Sequence, residues 1–234
     1  MREIALDTET TGLDPHSGHR IVEIGCVEMI NRIRTGNTFH AYLNPDRDMP
    51  DEAFRIHGLS VEFLSDKPRF HDVVEELVVF LSDSPLVIHN AQFDMKFINY
   101  ELSKVGKQII ALERAIDTVS MARKKYPGSP VSLDALCKRF MVDASARTKH
   151  GALLDAELLC EVYLELTGGR QSSLELAAQS APVLQQQYAA VHMEIPRREF
   201  LPSDEEKSRH DALLAKLKNP LWHLMETAKA AKSS

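Results

Sequence analysis

Two carboxylates separated by one residue, Asp7 and Glu9, are the first residues whose types and spacing could do chemistry. In a β-strand, side chains at positions i and i+2 point to the same side, so the two acids would project together. Adjacent carboxylates repel each other unless a cation lies between them. Oxygen-only ligands suit Mg²⁺ or Mn²⁺ rather than zinc. The pair therefore predicts a site for a hard divalent ion, and a strand that ends in a polar turn with two solvated acids is the alternative.

Two further acids each follow an apolar segment or begin a helical one. Asp94 ends the sequence NAQFD directly after PLVIH, and Asp155 begins a long helical pattern with His150 in the loop before it. Taken singly they are ordinary, because acids often cap helices. Taken together, four carboxylates could hold two divalent ions about 3.5–4 Å apart, as in enzymes that displace groups in line at phosphorus. Histidine titrates near neutral pH, so His150 could accept a proton from an attacking water.

The N-terminal segment predicts three consecutive strands that would hold the first acid pair. The apolar run Ile4, Ala5 and Leu6 has no polar break, which is typical of a strand buried on both faces. Residues 21–29 and 33–43 also have the character of strands, and residues 31–36 are polar enough to form the turn region. Three strands in a row predict an antiparallel meander.

The middle of the chain predicts alternating helices and strands that would carry the other acids. Residues 70–81 have apolar positions at helical spacing, a buried strand of the parallel type is predicted at 85–89, and Ile116 ends another short strand. The other helices are predicted at 51–58, 60–64, 91–105, 118–125, 132–140 and 152–166. A meander followed by alternating elements predicts an α/β fold with a mixed sheet and helices on both faces.

The character of the chain changes after Gly169. Three consecutive glutamines, scattered serines and alanines and two prolines occur in residues 171–198, so we predict a flexible linker over 170–202. Ser203-Asp204-Glu205-Glu206 is a capping box, which predicts a helix to about residue 218. The apolar patch 221–225 follows it. A lone helix of this length is marginal in water, so residues 203–234 are predicted as a partner-docking tail, and a helix folded back on the main domain is the alternative.

Bulk composition restricts the classes of protein to consider. The chain has 234 residues, 44% hydrophobic content and a net charge of −6, which fit one sizeable domain with an appendage and argue against extended binding along a nucleic-acid backbone. A protein with this negative charge could still bind one end of a nucleic acid through metal ions. No signal peptide or membrane-spanning run is predicted. Cys26, Cys137 and Cys160 lack paired spacing, so we expect reduced core thiols in a cytoplasmic protein.

Three motifs, DTETTG at residues 7–12, NAQFD at 90–94 and HGALLD at 150–155, resemble in type and order those of the DEDDh 3′–5′ exonucleases. The similarity continues through IVEIGCVE, TGNTFHAYLNPDR, EAFRIHG and SLDALCKRF, where the chain resembles the epsilon-type proofreading subunits of bacterial DNA polymerase III. This resemblance covers residues 1–169. It implies an exonuclease domain there with a ribonuclease H-like fold, a mixed five-stranded sheet flanked by helices.

The resemblance also implies a role for each motif residue. Two divalent metal ions, Mg²⁺ or Mn²⁺, would be bound by Asp7, Glu9, Asp94 and Asp155, with His150 as the general base. The implied contacts with the 3′ end of DNA are made by Thr8, Thr11, Gly12, His57, Asn90 and Phe93. His57 could instead be a C-cap histidine favoured by the helix dipole, and Phe93 could be plain core packing. Asp117 would cap the helix that follows it rather than bind metal.

The implied activity is proofreading, in which a metal-dependent exonuclease releases nucleoside 5′-monophosphates from mispaired DNA 3′ ends. Residues 203–234 would bind the polymerase catalytic (alpha) subunit. The segment from Gln171 to Leu176 lies where the family carries a sliding-clamp peptide, which prefers an aromatic residue at the position of Leu176. A free-standing DEDDh exonuclease that trims RNA or DNA is one alternative, disfavoured by the linker and tail. A non-catalytic scaffold that bridges polymerase and clamp is the other, disfavoured because all five catalytic positions are filled.

Overall fold

A computed structural model describes residues 1–145, 150–169 and 201–217 of the chain. These residues belong to two units, one that contains the first two stretches and one that contains the third, and each unit is described by itself. In the described stretches, no helix combines the length and the apolar character that crossing a membrane requires.

The strands of the first unit are β1 (Arg2–Thr10), β2 (Ile21–Ile30), β3 (Ile33–Tyr42), β4 (Leu86–Ile88) and β5 (Ala115–Asp117). They form one sheet in the order β3-β2-β1-β4-β5. β1 pairs antiparallel with β2, and β2 with β3, whereas β4 is parallel to both β1 and β5. The predicted meander and mixed sheet are therefore confirmed.

The hairpin between β2 and β3 is tighter than the sequence predicts. Ile30 pairs with Ile33, so Asn31 and Arg32 alone form the connection, and their φ angles are positive, 52° and 67°. Two consecutive left-handed residues match the twist of a strand pair, which is why such turns are common in hairpins. The predicted turn region, residues 31–36, is therefore too long. From Ile33 onward its residues belong to an exposed strand, whose polar composition resembles that of a loop.

The helices of the first unit are α1 (Asp51–His57), α2 (Val61–Leu64), α3 (Phe70–Leu81), α4 (Ala91–Lys104), α5 (Thr118–Lys125), α6 (Leu133–Phe140) and α7 (Ala152–Leu166). Each lies within one residue of its predicted bounds. Side chains of Ser60, Asp117 and Ser132 accept backbone N–H groups at the first turns of α2, α5 and α6, as N-cap residues do. Local capping and periodicity explain why these predictions succeed.

The sheet is covered on both faces, as predicted. On one face, Leu6 and Ile88 pack with α3 and α4 through residues such as Leu77 and Phe97. On the other face, Ala5 and Val87 pack with α6 and α7. The three cysteines are free and buried, which confirms that they are core thiols. Burial raises the pKa of Cys160 to about 12, so this thiol stays protonated at neutral pH.

One edge of the sheet gathers the ends of several elements. β1, β4 and β5 run parallel, so their carboxyl ends share this edge, and α4 and α5 begin within three residues of β4 and β5. α7 begins there too, because the backbone of Ala152 and Leu153 lies directly against Gly25 of β2. Polar residues at these ends are therefore brought together although they are distant in sequence.

The described residues of the second unit contain α8 (Asp204–Leu214). Ser203 Oγ accepts the Glu206 N–H at 3.3 Å and Glu206 accepts the Ser203 N–H at 2.8 Å, which confirms the capping box. α8 ends four residues before the predicted residue 218, because the last turn tightens: Lys216 and Leu217 donate to carbonyls three residues back. Residues 170–200, with the segment 171–176, and the patch 221–225 lie outside the described residues, so the predicted domain boundaries stay predictions.

Candidate active site

β1 places Asp7 and Glu9 on the sheet face that α7 covers. Side chains alternate along a strand, so both acids share the side of Ala5, which packs in the core with α7. Glu9 is buried, whereas Asp7 keeps part of its surface exposed. The pairing of β1 with β2 shifts directly after Glu9, and such irregularities are frequent next to active sites. The strand thus presents both acids toward the beginning of α7.

α4 brings Asp94 to β1. Asp94 lies in the first turn of α4 and is 3% exposed. Its Oδ1 accepts two hydrogen bonds from Thr8, one from the backbone N–H at 3.0 Å and one from the hydroxyl at 2.7 Å. Burial raises the pKa of Asp94 to about 7, and the hydrogen bonds from Thr8 act in the opposite direction. Thr8 lies between Asp7 and Glu9 in β1, so Asp94 is held against this part of the strand, where its charge acts on Asp7.

α7 supplies Asp155, and the loop before α7 supplies His150. Asp155 lies in the first turn of α7 and is 3% exposed, and its Oδ2 is 3.3 Å from His150 Nδ1. The His150 N–H donates to the carbonyl of Ile56 at 3.4 Å, which ties this loop to α1. One ligand atom each of Glu9, His150 and Asp155 lie within 4.8 Å of one another. Residues of the HGALLD motif therefore lie next to Glu9 of the DTETTG motif.

The pKa of Asp7 shows that the acids lie close together. Burial raises the pKa of Asp7 well above its usual range, and the charges of Asp94, Glu9, Asp155 and Glu23 raise it further. Every acid that the sequence assigns to metal therefore acts on Asp7. Glu23, which the sequence did not single out, acts on it as well.

These residues fit divalent metal ions. Carboxylate oxygens are the donors that Mg²⁺ and Mn²⁺ prefer, and a cation would remove the repulsion that raises the pKa of Asp7. Because Glu9, His150 and Asp155 each offer an atom within 4.8 Å of the others, a single ion could contact all three. His150 supplies the only nitrogen donor of this group, so its geometry is compatible with ligation as well as with proton transfer.

A cleft of about 590 Å³ opens beside Glu9. The loop after β1, the helix α1 and Phe93 of α4 form its walls. This volume falls in the range of sites for small ligands such as a nucleotide. The residues predicted to contact substrate that line the cleft are Thr8, Thr11, Gly12, His57 and Phe93. Most of the predicted substrate contacts therefore share one cavity that adjoins the acids.

The hydroxyl groups of Thr8 in β1 and Thr11 in the loop after β1 both contact other residues of the protein. The Thr8 hydroxyl holds Asp94. Thr11 is fully buried, and its hydroxyl accepts the Arg20 N–H at 3.0 Å and lies 3.2 Å from His19 Nδ1. A Cβ atom on Gly12 would lie 2.3 Å from the His19 ring, so only glycine lets this imidazole pack against the loop. These three residues shape the cleft wall.

His57 and Phe93 each have a role within the fold and also line the cleft, and their contacts with substrate stay predictions. His57 is the last residue of α1 and is buried, and its Nδ1 accepts the Leu59 N–H at 3.1 Å. It therefore stabilises the turn after α1 while its side chain lines the cleft. Phe93 packs against the core beside Phe97, with ring centroids 5.1 Å apart, and also lines the cleft.

Asn90 lies apart from the cleft. Among the described residues that line the cavity Asn90 does not occur. It is exposed and has a left-handed backbone, φ 71°, at the beginning of α4, and its N–H donates to Asp117 Oδ1 at 3.1 Å. Asp117 caps α5 as expected. Burial acts to raise the pKa of Asp117, but hydrogen bonds from Ser120, Val119, Ala91 and Asn90 outweigh it, and the pKa is lowered.

Sequence reasoning missed several residues around the site. Glu23 is 3% exposed, lies opposite Glu9 in the β1–β2 pairing and accepts a bond from His40 Nε2 at 2.8 Å. Leu13 and Ile56 line the cleft with largely exposed apolar side chains. No motif marks these residues. An acid inside an apolar strand pattern, such as Glu23 in IVEIGCVEM, is the one signal that could have identified a site residue.

Comparisons with known proteins agree with this arrangement. The family model described as Exonuclease matches residues 4–163. The chain is 52% identical over 222 residues to the DNA polymerase III subunit epsilon of Rickettsia felis, which covers 93% of this chain and 97% of that one. It is 45% identical over 224 residues to the subunit of that name from Escherichia coli, covering 91% and 92%. The solved structure of exonuclease X with 5′ overhanging duplex DNA superposes with a TM-score of 0.54 at 26% identity, covering 70% and 90%.

Proposed function

This chain belongs to the exonuclease family, and within it to the DNA polymerase III epsilon subunits, and we propose that its acidic cluster and cleft remove mispaired nucleotides from DNA 3′ ends. The activity is that of a 3′–5′ exonuclease, a phosphodiester hydrolase that serves DNA replication. A hydroxide equivalent from water bonds to the terminal phosphorus, the bond from phosphorus to the 3′ oxygen breaks, and that oxygen takes up a proton. The products are a nucleoside 5′-monophosphate and a DNA chain one nucleotide shorter.

The convergence of four carboxylates and one imidazole beside a nucleotide-sized cleft carries this proposal. Asp7, Glu9 and Asp94 come together through β1 and α4. Asp155 joins them from α7, and His150 joins them from the loop before α7. A scaffold protein would have no use for buried acids that repel one another, because burying carboxylates without a cation destabilises the fold. This argues for catalysis.

We assign two divalent metal ions, Mg²⁺ or Mn²⁺, to this cluster. Asp7, Glu9, Asp94 and Asp155 would hold them, and bound divalent ions supply neutralisation of the charge that develops on the phosphate. Thr8 orients Asp94 through two hydrogen bonds. His150, whose side chain is 48% exposed, accepts the proton of the attacking water, because its position beside the cluster lets the proton leave to solvent.

The cleft binds the terminal nucleotide. The β1 loop and α1 enclose it, with Phe93 at one wall and the exposed apolar side chains of Leu13 and Ile56 at its rim. A mispaired end has lost pairing and stacking, so it frays and reaches the cleft more easily than a paired end. Selectivity for errors thus follows from the substrate, and the protein needs no base-specific contacts.

A primer-degradation assay tests the proposed activity. The wild-type protein with Mn²⁺ should shorten a 3′-mispaired primer one nucleotide at a time, and a chelator or Asp7→Ala should abolish this. An equally slow wild type and Asp7→Ala would support a scaffold instead. Comparison of DNA with RNA of the same sequence distinguishes proofreading from the alternative of an RNA-trimming enzyme, which should prefer RNA.

We also propose that residues 203–234 bind the polymerase catalytic (alpha) subunit and place the chain in the bacterial replisome in the cytoplasm. α8 supports this, because its side chains are almost all exposed, including Leu213 at 57%. Removal of residues 203–234 should spare hydrolysis of free single strands and abolish co-elution with the polymerase subunit. A truncated chain that still co-elutes would contradict the tail assignment. Binding of the sliding clamp by residues 171–176 stays a prediction from sequence.

A further inference from the structure

Gly25 lies at the point where the two halves of the acidic cluster meet. In the β1–β2 pairing it is directly opposite Asp7, and Glu23, two residues before it, is opposite Glu9. Asp7 and Glu9 are carried by the sheet, whereas Asp155 and His150 are carried by α7 and the loop before it. The distance between the sheet and the first turn of α7 therefore sets the spacing of the cluster.

A side chain at position 25 would collide with the backbone of α7. A Cβ atom there would lie 2.3 Å from the Ala152 carbonyl carbon, 2.3 Å from the Leu153 nitrogen and 2.4 Å from the Ala152 carbonyl oxygen. These are main-chain atoms of the first helical turn, so no side-chain rotation relieves the contact. Ordinary van der Waals contact begins near 3.4 Å. The first turn of α7 would therefore have to move away by about 1 Å, which is the difference between 3.4 Å and 2.3 Å.

Backbone conformation does not explain the glycine. Gly25 is absent from the described glycines with positive φ, so its strand conformation is open to any residue. Space is the remaining physical reason for a residue without a side chain.

We infer that Gly25 is a positioning residue that sets the spacing between the sheet-borne and helix-borne halves of the catalytic cluster. This inference rests on the proposed function. Asp155 lies three positions after Ala152, in the first turn of α7. A shift of this turn therefore moves Asp155 and the adjoining His150 away from Asp7 and Glu9. A displacement of about 1 Å in a catalytic constellation can reduce turnover by about 100-fold.

The rest of α7 should stay docked when this turn moves. Farther along the helix, Ala156, Leu159, Cys160 and Tyr163 are buried in the core beneath it. Nucleotide binding should also persist, because the described residues that line the cleft come from β1, its loop, α1 and α4, not from α7. The inference therefore predicts a specific separation of effects, namely loss of metal affinity and turnover with little change in KM.

The test compares Gly25→Ala with a matched control, Gly151→Ala. Gly151 adjoins the same helix end and has an extended φ of −156°, and a Cβ atom there would meet none of the described residues within 4 Å. Mn²⁺ affinity is measured by titration calorimetry without DNA, and kcat and KM with a single-stranded oligonucleotide. Gly25→Ala should weaken Mn²⁺ binding at least about tenfold and lower kcat about 100-fold, with KM within about threefold, while Gly151→Ala stays within about threefold throughout.

Each outcome shows whether or not Gly25 sets the spacing of the catalytic cluster. Wild-type Mn²⁺ affinity and kcat in Gly25→Ala would overturn the inference. Loss of the far-ultraviolet circular dichroism of the folded chain in Gly25→Ala would overturn it too, because the effect would then be on docking of the whole helix. A wild-type protein that neither binds Mn²⁺ nor degrades DNA would instead overturn the proposed function, and this is seen without any variant.

Discussion

Thr8 donates both its backbone N–H and its hydroxyl to the same oxygen of Asp94, at 3.0 Å and 2.7 Å. The two residues are 86 positions apart in sequence. Their contact joins the strand that carries Asp7 and Glu9 to the helix that carries Asp94. It also commits the Oδ1 atom of Asp94 to the protein. The middle residue of the DTE motif thus orients an acid of the second motif.

Thr8→Val removes the hydroxyl and keeps the shape and the backbone N–H of Thr8. We expect Mn²⁺ affinity and kcat to fall about 10- to 100-fold, the usual effect of losing a group that orients a metal ligand. Thr8→Ser, which retains the hydroxyl, should stay within a few-fold of wild type. Calorimetric titration with Mn²⁺ and a primer-degradation assay measure both. Equal losses in the valine and serine variants would show that packing, not the hydrogen bond, matters.

The raised pKa of Asp94 predicts that the metal-free protein loses stability as pH rises. A carboxyl group with a pKa of about 7 in the folded state and near 4 when unfolded binds more protons in the folded state between these values. Its favourable contribution is fully present below about pH 4 and is lost as pH rises through about 7. In the presence of a chelator, Asp94→Asn should therefore have a higher Tm than wild type at pH 8, and the difference should shrink toward pH 5.

Asp14→Asn is the control for this pH dependence. Asp14 is partly exposed, and its hydrogen bond with Lys96 lowers its pKa, so it stays ionised throughout the window. Its Tm difference from wild type should be constant between pH 5 and pH 8. Thermal unfolding followed by circular dichroism measures both variants. A constant difference for Asp94→Asn as well would contradict the raised pKa.

Local patterns predicted most of the fold. The helical spacing of residues 70–81 and the capping box at Ser203 depend on neighbours in sequence, and α3 and the beginning of α8 lie where they were expected. The hairpin after Ile30 was predicted too long because the residues of β3 are exposed and polar, and composition cannot distinguish an exposed strand from a loop. The end of α8 depends on how its last turn tightens, which no sequence signal marked.

The sequence could name the acids, His150 and most cleft-lining residues of the candidate site, but not the contacts that hold them in place. Asp7, Glu9, Asp94 and Asp155 are chemically conspicuous, and the expectation that they converge follows from strand ends that share one edge of a sheet. The roles of the Thr8 and Thr11 hydroxyls were not predictable, because both depend on partners that the fold brings close. The sequence does not show which element packs against a glycine in a strand. The contact of Gly25 with α7 could therefore be seen only in the structure.

Replacement of His150 tests whether its imidazole transfers a proton or binds metal. If it is the general base, His150→Ala should lower kcat at least about 100-fold, the usual scale of this role, and leave Mn²⁺ affinity largely intact. His71→Ala on α3, an exposed histidine beside Asp72, is the control. Equal losses of Mn²⁺ affinity and kcat would instead assign His150 as a ligand, which its closeness to Glu9 and Asp155 also permits.

A buried ion pair anchors the loop that forms one wall of the cleft. The Arg20 guanidinium donates to both oxygens of Glu101, at 2.5 Å and 2.9 Å, and Glu101 is 1% exposed. The Arg20 N–H also holds the Thr11 hydroxyl. Glu101 lies on α4 with Asp94, so this pair couples the cleft wall to the helix that supplies a metal ligand.

Glu101→Gln should therefore destabilise the protein and weaken substrate binding together. Leaving the Arg20 charge without its carboxylate should lower the free energy of unfolding by about 3 kcal/mol, at the lower end for a broken buried pair because Arg20 is partly exposed. Urea unfolding measures this change, and KM for a single-stranded oligonucleotide should rise as the loop shifts. Glu157→Gln, which removes the exposed pair with Arg34, should change the free energy by less than about 1 kcal/mol. Equal effects of the two substitutions, or an unchanged KM in Glu101→Gln, would show that the pair does not support the cleft.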